Sequence, residues 1–286
     1  MGGPNFRALG TNQAWWESLS KDSRRPGSRR ERGSGVKLYA LTCGWLSCNL
    51  KEMLAGAEGR LTFPIPAYLI DHPKGLVLFD TGMHPRSLED PYTQVGALAA
   101  AFEVHSRPGD DIKSRLEQMD IDPARVQYVV NSHLHFDHTG GNELIPNARV
   151  IIQETEWEAG KIPELIEANA YNPLNYDHGH LVKRVSGEFD LFGDGTIVTI
   201  PTFGHTPGHQ SLKVKLPSGE IVLAADACYF CQTLENMHLP SLVYDRAKMI
   251  NSLLLLRKLR RNGARIFYGH DPEFWRGIPQ APLTVE

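Results

Sequence analysis

His133-Leu134-His135-Phe136-Asp137-His138 places four metal-ligating side chains within six residues, in the order H-x-H-x-D-H. Imidazole nitrogens and a carboxylate oxygen at this density suit a transition metal. The preceding stretch, Val126–Asn131, is apolar and β-branched and reads as a strand, and Thr139-Gly140-Gly141-Asn142 reads as a turn. The ligands therefore sit where a strand ends. Residues two apart on a strand point the same way, which aims His133 and His135 at one point. The chain then turns, so Asp137 and His138 can face a second point close by. Two metal ions side by side are the expectation, and such pairs usually serve hydrolysis.

Three more ligand-type residues each close a strand. His205 lies in Gly204-His205-Thr206-Pro207-Gly208-His209 after the strand Thr196–Ile200, Asp226 ends Ile221–Ala225, and His270 ends Ile266–Tyr268. A single histidine at a strand end is more often a hydrogen-bonded core residue, and it is the hexapeptide that shifts the weight toward ligation. The seven divide naturally: one ion takes His133, His135 and His205, the other takes Asp137, His138 and His270. Asp226 gives one oxygen to each, because a carboxylate is the only kind of side chain here that can bridge two ions and offset part of their charge. The mixture favours Zn²⁺, with Mn²⁺, Fe²⁺ or Co²⁺ also suited. His178-Gly179-His180 repeats the alternate spacing without a strand before it and is not counted. His209 reads as a hydrogen-bonding neighbour, and His72, His84, His105 and His238 are unassigned.

The elements that must position these residues follow from periodicity and breakers. Strands are expected at Lys37–Thr42, Pro66–Ile70, Gly75–Phe79, Arg149–Gln153, Leu181–Val185, Leu212–Leu216 and Arg265–Tyr268, with a hairpin turn at Pro217-Ser218-Gly219-Glu220. Helices are expected at Asp110–Met119, Glu154–Gly160 and, longest, Tyr244–Asn262, which Gly263 stops. Residues 84–109 read as a loop with a short helix and 161–180 as mostly irregular. This order suits two packed sheets with helices outside.

The chain has 286 residues and a net charge of −3, long enough for a large α/β core without staples and too mildly charged to point to nucleic acid. Residues 1–33 hold seven cationic and three anionic side chains, a net +4, so the rest carries −7. That basic, Gly- and Ser-containing segment without apolar period is expected to be a disordered extension, with the hydrolase domain spanning 34–286. It lacks the apolar core of a signal peptide, and no run of 18 apolar residues could span a membrane. Cys43, Cys48, Cys228 and Cys231 lack the context of a redox motif or a structural zinc site, so free thiols in a cytoplasmic location are expected.

With these residues in view, the chain resembles the metallo-β-lactamase superfamily, whose fold is an αββα sandwich with a metal site at one edge. The resemblance runs from Val36 to Glu286, with Asp80-Thr81-Gly82, His133–His138, Gly204–His209, Asp226 and Gly269-His270 in the family's order. It looks most like the N-acyl-homoserine lactonases, the quorum-quenching branch, because Tyr229 stands three residues after Asp226 as it does there. Only 16 residues follow His270, which leaves no room for the C-terminal domain of the glyoxalase II-like thioesterases. Flavodiiron oxygen reductases carry glutamate where this chain has His135, and lactam-cleaving classes carry cysteine, serine or histidine where it has Asp226.

The resemblance implies ring opening of N-acyl-homoserine lactones by a hydroxide bridging two ions about 3.5–4 Å apart. It further implies that Tyr229 stabilises the oxyanion, that Asp137 carries a proton to the leaving oxygen, and that Asp80 orients a ligand histidine. Phe136 is expected to line the acyl pocket or to pack in the core, and loops around Trp45, Met53 and residues 84–109 to set chain-length preference. The partner is then a small acyl lactone, and relatives often pair as homodimers. Another lactone, a thioester or a phosphodiester is the alternative substrate, while the complete ligand set argues against a protein that only binds.

Overall fold

The computed structural model describes residues 35–286, so the basic N-terminal segment lies outside the described residues. Among the described residues twelve strands run in chain order: β1 (Lys37–Asn49), β2 (Arg60–His72), β3 (Gly75–Phe79), β4 (Glu103–His105), β5 (Val126–Val130), β6 (Arg149–Gln153), β7 (Val182–Val185), β8 (Phe189–Asp190), β9 (Ile197–Pro201), β10 (Gln210–Leu216), β11 (Gly219–Leu223) and β12 (Arg265–Phe267). The α-helices are α1 (Leu50–Met53), α2 (Pro91–Gln94), α3 (Ile112–Glu117), α4 (Phe136–Thr139), α5 (Glu154–Ala159), α6 (Pro163–Ala168), α7 (Cys231–Asn236), α8 (Arg246–Arg261) and α9 (Pro272–Arg276).

Two mixed sheets result, in the orders β4-β1-β2-β3-β5-β6-β7 and β12-β11-β10-β9-β8. Strand alternation builds the layers. Leu212, Val214 and Leu216 of β10 and Ile221 and Leu223 of β11 face inward, against Leu38, Ile70, Val77, Phe79 and Val130 of the larger sheet. The intervening Val222 faces outward onto Met249, Leu253 and Leu256 of α8. On the opposite outer face, Tyr39, Leu69, Leu78 and Val129 receive Ile112 and Leu116 of α3. Helix, sheet, sheet, helix is the expected αββα sandwich.

Several expectations about extent change. β1 and β2 continue well past Thr42 and begin well before Pro66. Their register shifts between Thr42 and Trp45, where Gly44 takes φ +101° and the partners are Pro66 and Pro64. A bulge breaks the two-residue alternation and tolerates prolines that lack a donor, so each strand looks shorter in sequence than it is. Residues 84–109 contain strand β4 as well as α2. Residues 161–180 include helix α6, because Pro163 sits in its first turn, where a missing N–H costs nothing.

Candidate metal centre

The site gathers at one edge of the sandwich. β9 and β11 both run antiparallel to β10, and β12 runs parallel to β11, so the C-terminal ends of β9, β11 and β12 open on the same side. They deliver the segments carrying His205, Asp226 and His270. The other sheet delivers the hexapeptide after β5, and the Gln210 N–H donates to the Ser132 carbonyl (2.9 Å), joining the two edges. Asp226 is not the last strand residue as expected but lies in a 3₁₀ turn, Ala225–Ala227, entered through Ala225 at φ +45°.

All seven expected ligands converge, in two groups. His133, His135, His205 and Asp226 present ligand atoms within 4.8 Å of one another, as do Asp137, His138 and His270. Asp226 reaches both groups. Its Oδ2 lies 3.2 Å from His205 Nε2 and 3.8 Å from His133 Nε2, while its Oδ1 lies 3.2 Å from His138 Nε2 and 3.1 Å from His270 Nε2. Asp137 Oδ2 is 3.6 Å from His138 Nε2 and 3.7 Å from His270 Nε2.

The outer hydrogen bonds assign which nitrogen faces inward. His138 Nδ1 donates to Asp80 Oδ2 (2.9 Å), His270 Nδ1 to the Pro64 carbonyl (2.9 Å) and His135 Nε2 to the Asn169 carbonyl (2.9 Å). An N–H on that side leaves a lone pair on the other. Asp80 thus orients a histidine as expected, and it holds Ser132 as well, through the Ser132 N–H (2.7 Å) and hydroxyl (2.8 Å), from a left-handed backbone at φ +58°. His209 is the neighbour it was expected to be, its Nε2 accepting the Asp226 N–H at 3.1 Å.

This donor set fits divalent cations. The His135 Nδ1 lone pair faces His133 Nε2 at 2.9 Å and His205 Nε2 at 3.1 Å, while His138 Nε2 and Asp226 Oδ1 are buried with no hydrogen-bond partner. Buried polar atoms without partners are costly unless an ion satisfies them. The electrostatics agree. Burial, together with neighbouring imidazoles, holds His133 and His205 well below the usual histidine range, so they are neutral donors. Burial also opposes charge on His138, but the carboxylates of Asp226, Asp137 and Asp80 outweigh it and raise that histidine well above its ordinary value. Burial opposes ionisation of Asp226, yet His138, His270 and His205 hold its carboxyl well below the ordinary range. The second group thus sits in a field that calls for positive charge.

A cavity of about 200 Å³ opens over the groups, with His135, Asp137, Asp226, Tyr229 and His270 in its floor and Met53, Phe63, Leu98, Phe102 and Leu242 in its apolar walls. Tyr229 Oη lies 3.4 Å from His205 Nδ1. Phe136 lines the cavity and packs in a core cluster with Phe63, Met83 and Tyr229. Met53 and Leu98 line the cavity, whereas Trp45 packs against the core between the sheets. Four residues near the ligands escaped sequence reading: Ser132, Glu156, Asn169 and Tyr171. Ser132 precedes the motif and could have been suspected, but the other three act across 15 or more residues, with no spacing signal in the chain.

Residues 61–270 match the family model described as the metallo-β-lactamase superfamily. The chain is 34% identical over 256 residues to the N-acyl homoserine lactonase AttM of Azorhizobium caulinodans, covering 86% of this chain and 97% of the relative. It is 30% identical over 245 residues to the N-acyl homoserine lactonase AiiA of Bacillus thuringiensis subsp. kurstaki, covering 83% and 94%. Its structure is similar to that of an N-acyl homoserine lactone hydrolase with the product N-hexanoyl-L-homoserine at its catalytic metal centre, with a TM-score of 0.78 at 27% identity over 87% of this chain and 98% of the other. The sandwich, the two ligand groups at its edge and this similarity over nearly the full length of the relatives place the chain in the metallo-β-lactamase superfamily, within the family of the N-acyl homoserine lactonases.

Proposed function

We propose that this protein is a metal-dependent hydrolase that opens the lactone ring of N-acyl-homoserine lactones. The observation that carries the reading is the division of Asp226, one oxygen toward each histidine group, beside Tyr229 in the floor of an apolar cavity. Relatives that cover most of this chain and are named for this activity support it. His133, His135 and His205 would hold one divalent ion, Asp137, His138 and His270 the other, and Asp226 would touch both, with Zn²⁺ the best suited and Mn²⁺, Fe²⁺ or Co²⁺ compatible. When bound, such a pair supplies Lewis acidity and an ionised water near neutral pH.

The chain's own residues do the rest. Burial, with Asp226 and Asp137 nearby, raises the Tyr229 hydroxyl well above the ordinary tyrosine range, so it keeps its proton. His205 Nδ1 can donate to Tyr229 Oη, so the hydroxyl proton, otherwise held toward Asp226, can turn to the lactone carbonyl oxygen as charge develops there. Asp137, also lining the cavity, is positioned to accept the proton of the attacking water and pass it to the ring oxygen as the C–O bond breaks. Phe136, Phe102 and Leu98 offer the acyl chain an apolar wall. Unpaired Cys43, Cys48, Cys228 and Cys231 support residence in a reducing compartment such as the cytoplasm.

The test is proton release followed by pH-stat on homoserine lactones of several chain lengths, against thioester and phosphodiester substrates. Lactone turnover exceeding the others is expected. Turnover of a thioester or phosphodiester with inert lactones would replace this reading by another hydrolase of the same fold.

A further inference from the structure

Glu156 is a fully buried carboxylate on α5 that no step above uses. It accepts four hydrogen bonds from three separate segments. Oε1 accepts the Leu134 N–H (3.1 Å) and the Tyr171 hydroxyl (2.6 Å), and Oε2 accepts the Thr206 hydroxyl (2.9 Å) and the Gly208 N–H (2.7 Å). Each segment touches the first histidine group. Leu134 lies between His133 and His135. Thr206 and Gly208 follow His205. Tyr171 is two residues from Asn169, whose carbonyl orients His135, and Ala170 between them is held at φ +52°. Gly208 approaches so closely that a Cβ there would lie 2.3 Å from the Glu156 nitrogen. His138 and His270 rest instead on Asp80 and the Pro64 carbonyl.

We propose that Glu156 is a positioning residue for one half of the metal centre: it clamps the His133–His135 and His205 loops together and so sets the affinity of the first ion but not of the second. The inference rests on the reading of His133–His270 as a two-ion centre. Glutamine in its place keeps the shape but turns one oxygen into a donor. The Thr206 or Tyr171 hydroxyl can rotate to accept from it, but the backbone N–H of Leu134 or Gly208 cannot and loses its partner.

The experiment is titration of metal-free protein with Co²⁺, followed by its visible absorption. Wild type should take up two ions. Glu156→Gln should weaken one site about ten- to a hundredfold, the usual cost of losing an outer partner, and leave the other unchanged. The same weakening should appear in a His270→Ala background, where the first site remains, and vanish in a His135→Ala background. Equal weakening of both sites, no weakening, or an effect persisting in His135→Ala overturns the proposal. Should Glu156→Gln fail to fold, Tyr171→Phe removes one hydrogen bond to the same carboxylate and should weaken the same site to a smaller degree; an unchanged first site overturns it equally. Two bound Co²⁺ in a wild type that opens no lactone would defeat the proposed substrate and leave this inference standing, whereas a wild type that binds none defeats both.

Discussion

Tyr229 separates binding from chemistry at the scale of single residues. Its hydroxyl is raised above the ordinary tyrosine range by burial and by Asp226 and Asp137, so it is a donor throughout the working pH range. Tyr229→Phe should keep its metal content by elemental analysis and lose roughly a hundredfold in kcat, the scale of one oxyanion donor; an unchanged kcat would make the tyrosine a packing residue. Asp80 acts through others. Its carboxylate accepts from His138 Nδ1, the Ser132 N–H and the Ser132 hydroxyl, so Asp80→Ala removes three hydrogen bonds at once. A loss of about ten- to a hundredfold in metal affinity is expected, read by chelator competition.

At the scale of elements, the His205 loop is seated on the start of α8. The Asp245 N–H donates to the Gly204 carbonyl (2.9 Å) and the Tyr244 N–H to the His205 carbonyl (3.2 Å), while the Asp245 side chain caps the helix through the Lys248 N–H. Gly204 makes this seating possible. It adopts φ +129°, and a Cβ there would lie 2.2 Å from the Met249 nitrogen. Both the backbone conformation and the space exclude a side chain. Gly204→Ala should therefore cost at least about 2 kcal/mol in chemical denaturation, with a parallel loss of metal affinity because His205 moves with the loop. A full-stability variant would show that the loop can shift away from α8 freely.

At the scale of the molecule, the sandwich is closed by tethers as well as by its core. Lys74, in the β2–β3 turn of one sheet, donates to the Phe192 carbonyl (2.9 Å) and to Asp194 (2.8 Å) in the loop before β9 of the other. Hydrogen bonds from Lys74 and Thr196 hold the Asp194 carboxyl well below its ordinary range. A depressed folded-state value contributes stability that is complete above the unfolded aspartate pKa of about 3.9 and is lost progressively as the pH falls from there through the depressed folded-state value. Asp194→Asn should thus be less stable than the parent at pH 7, by no more than about 1 kcal/mol for a partly exposed pair, and urea midpoints should converge below about pH 4. The metal centre joins the same two sheets. Removing the ions should abolish activity and lower Tm, since binding to the native state alone contributes about 2.7 kcal/mol at a ligand concentration a hundredfold above Kd. A chelated protein with unchanged Tm would mean that the edge holds without them.

The sequence by itself determined the candidate ligand positions and the layers. H-x-H-x-D-H is a local pattern, and His205, Asp226 and His270 each follow a recognisable apolar strand, so residue type, spacing and strand ends sufficed to pick out seven residues that the fold gathers in two groups. Periods of two and of 3.6 residues sufficed for two packed sheets with helices outside, and the resemblance implied the αββα form. Only the tertiary structure decided the full length of β1 and β2, because a bulge at Gly44 and two prolines interrupt the alternation that a reader of sequence follows. It alone decided that Trp45 belongs to the core while Leu98 and Phe102 wall the cavity. It alone revealed Glu156, whose sequence neighbourhood is that of an ordinary surface helix. A hydrogen bond between residues 52 apart, as from Gly208 to Glu156, leaves no trace in periodicity, because it depends on where two sheets bring their loops and not on what either loop contains.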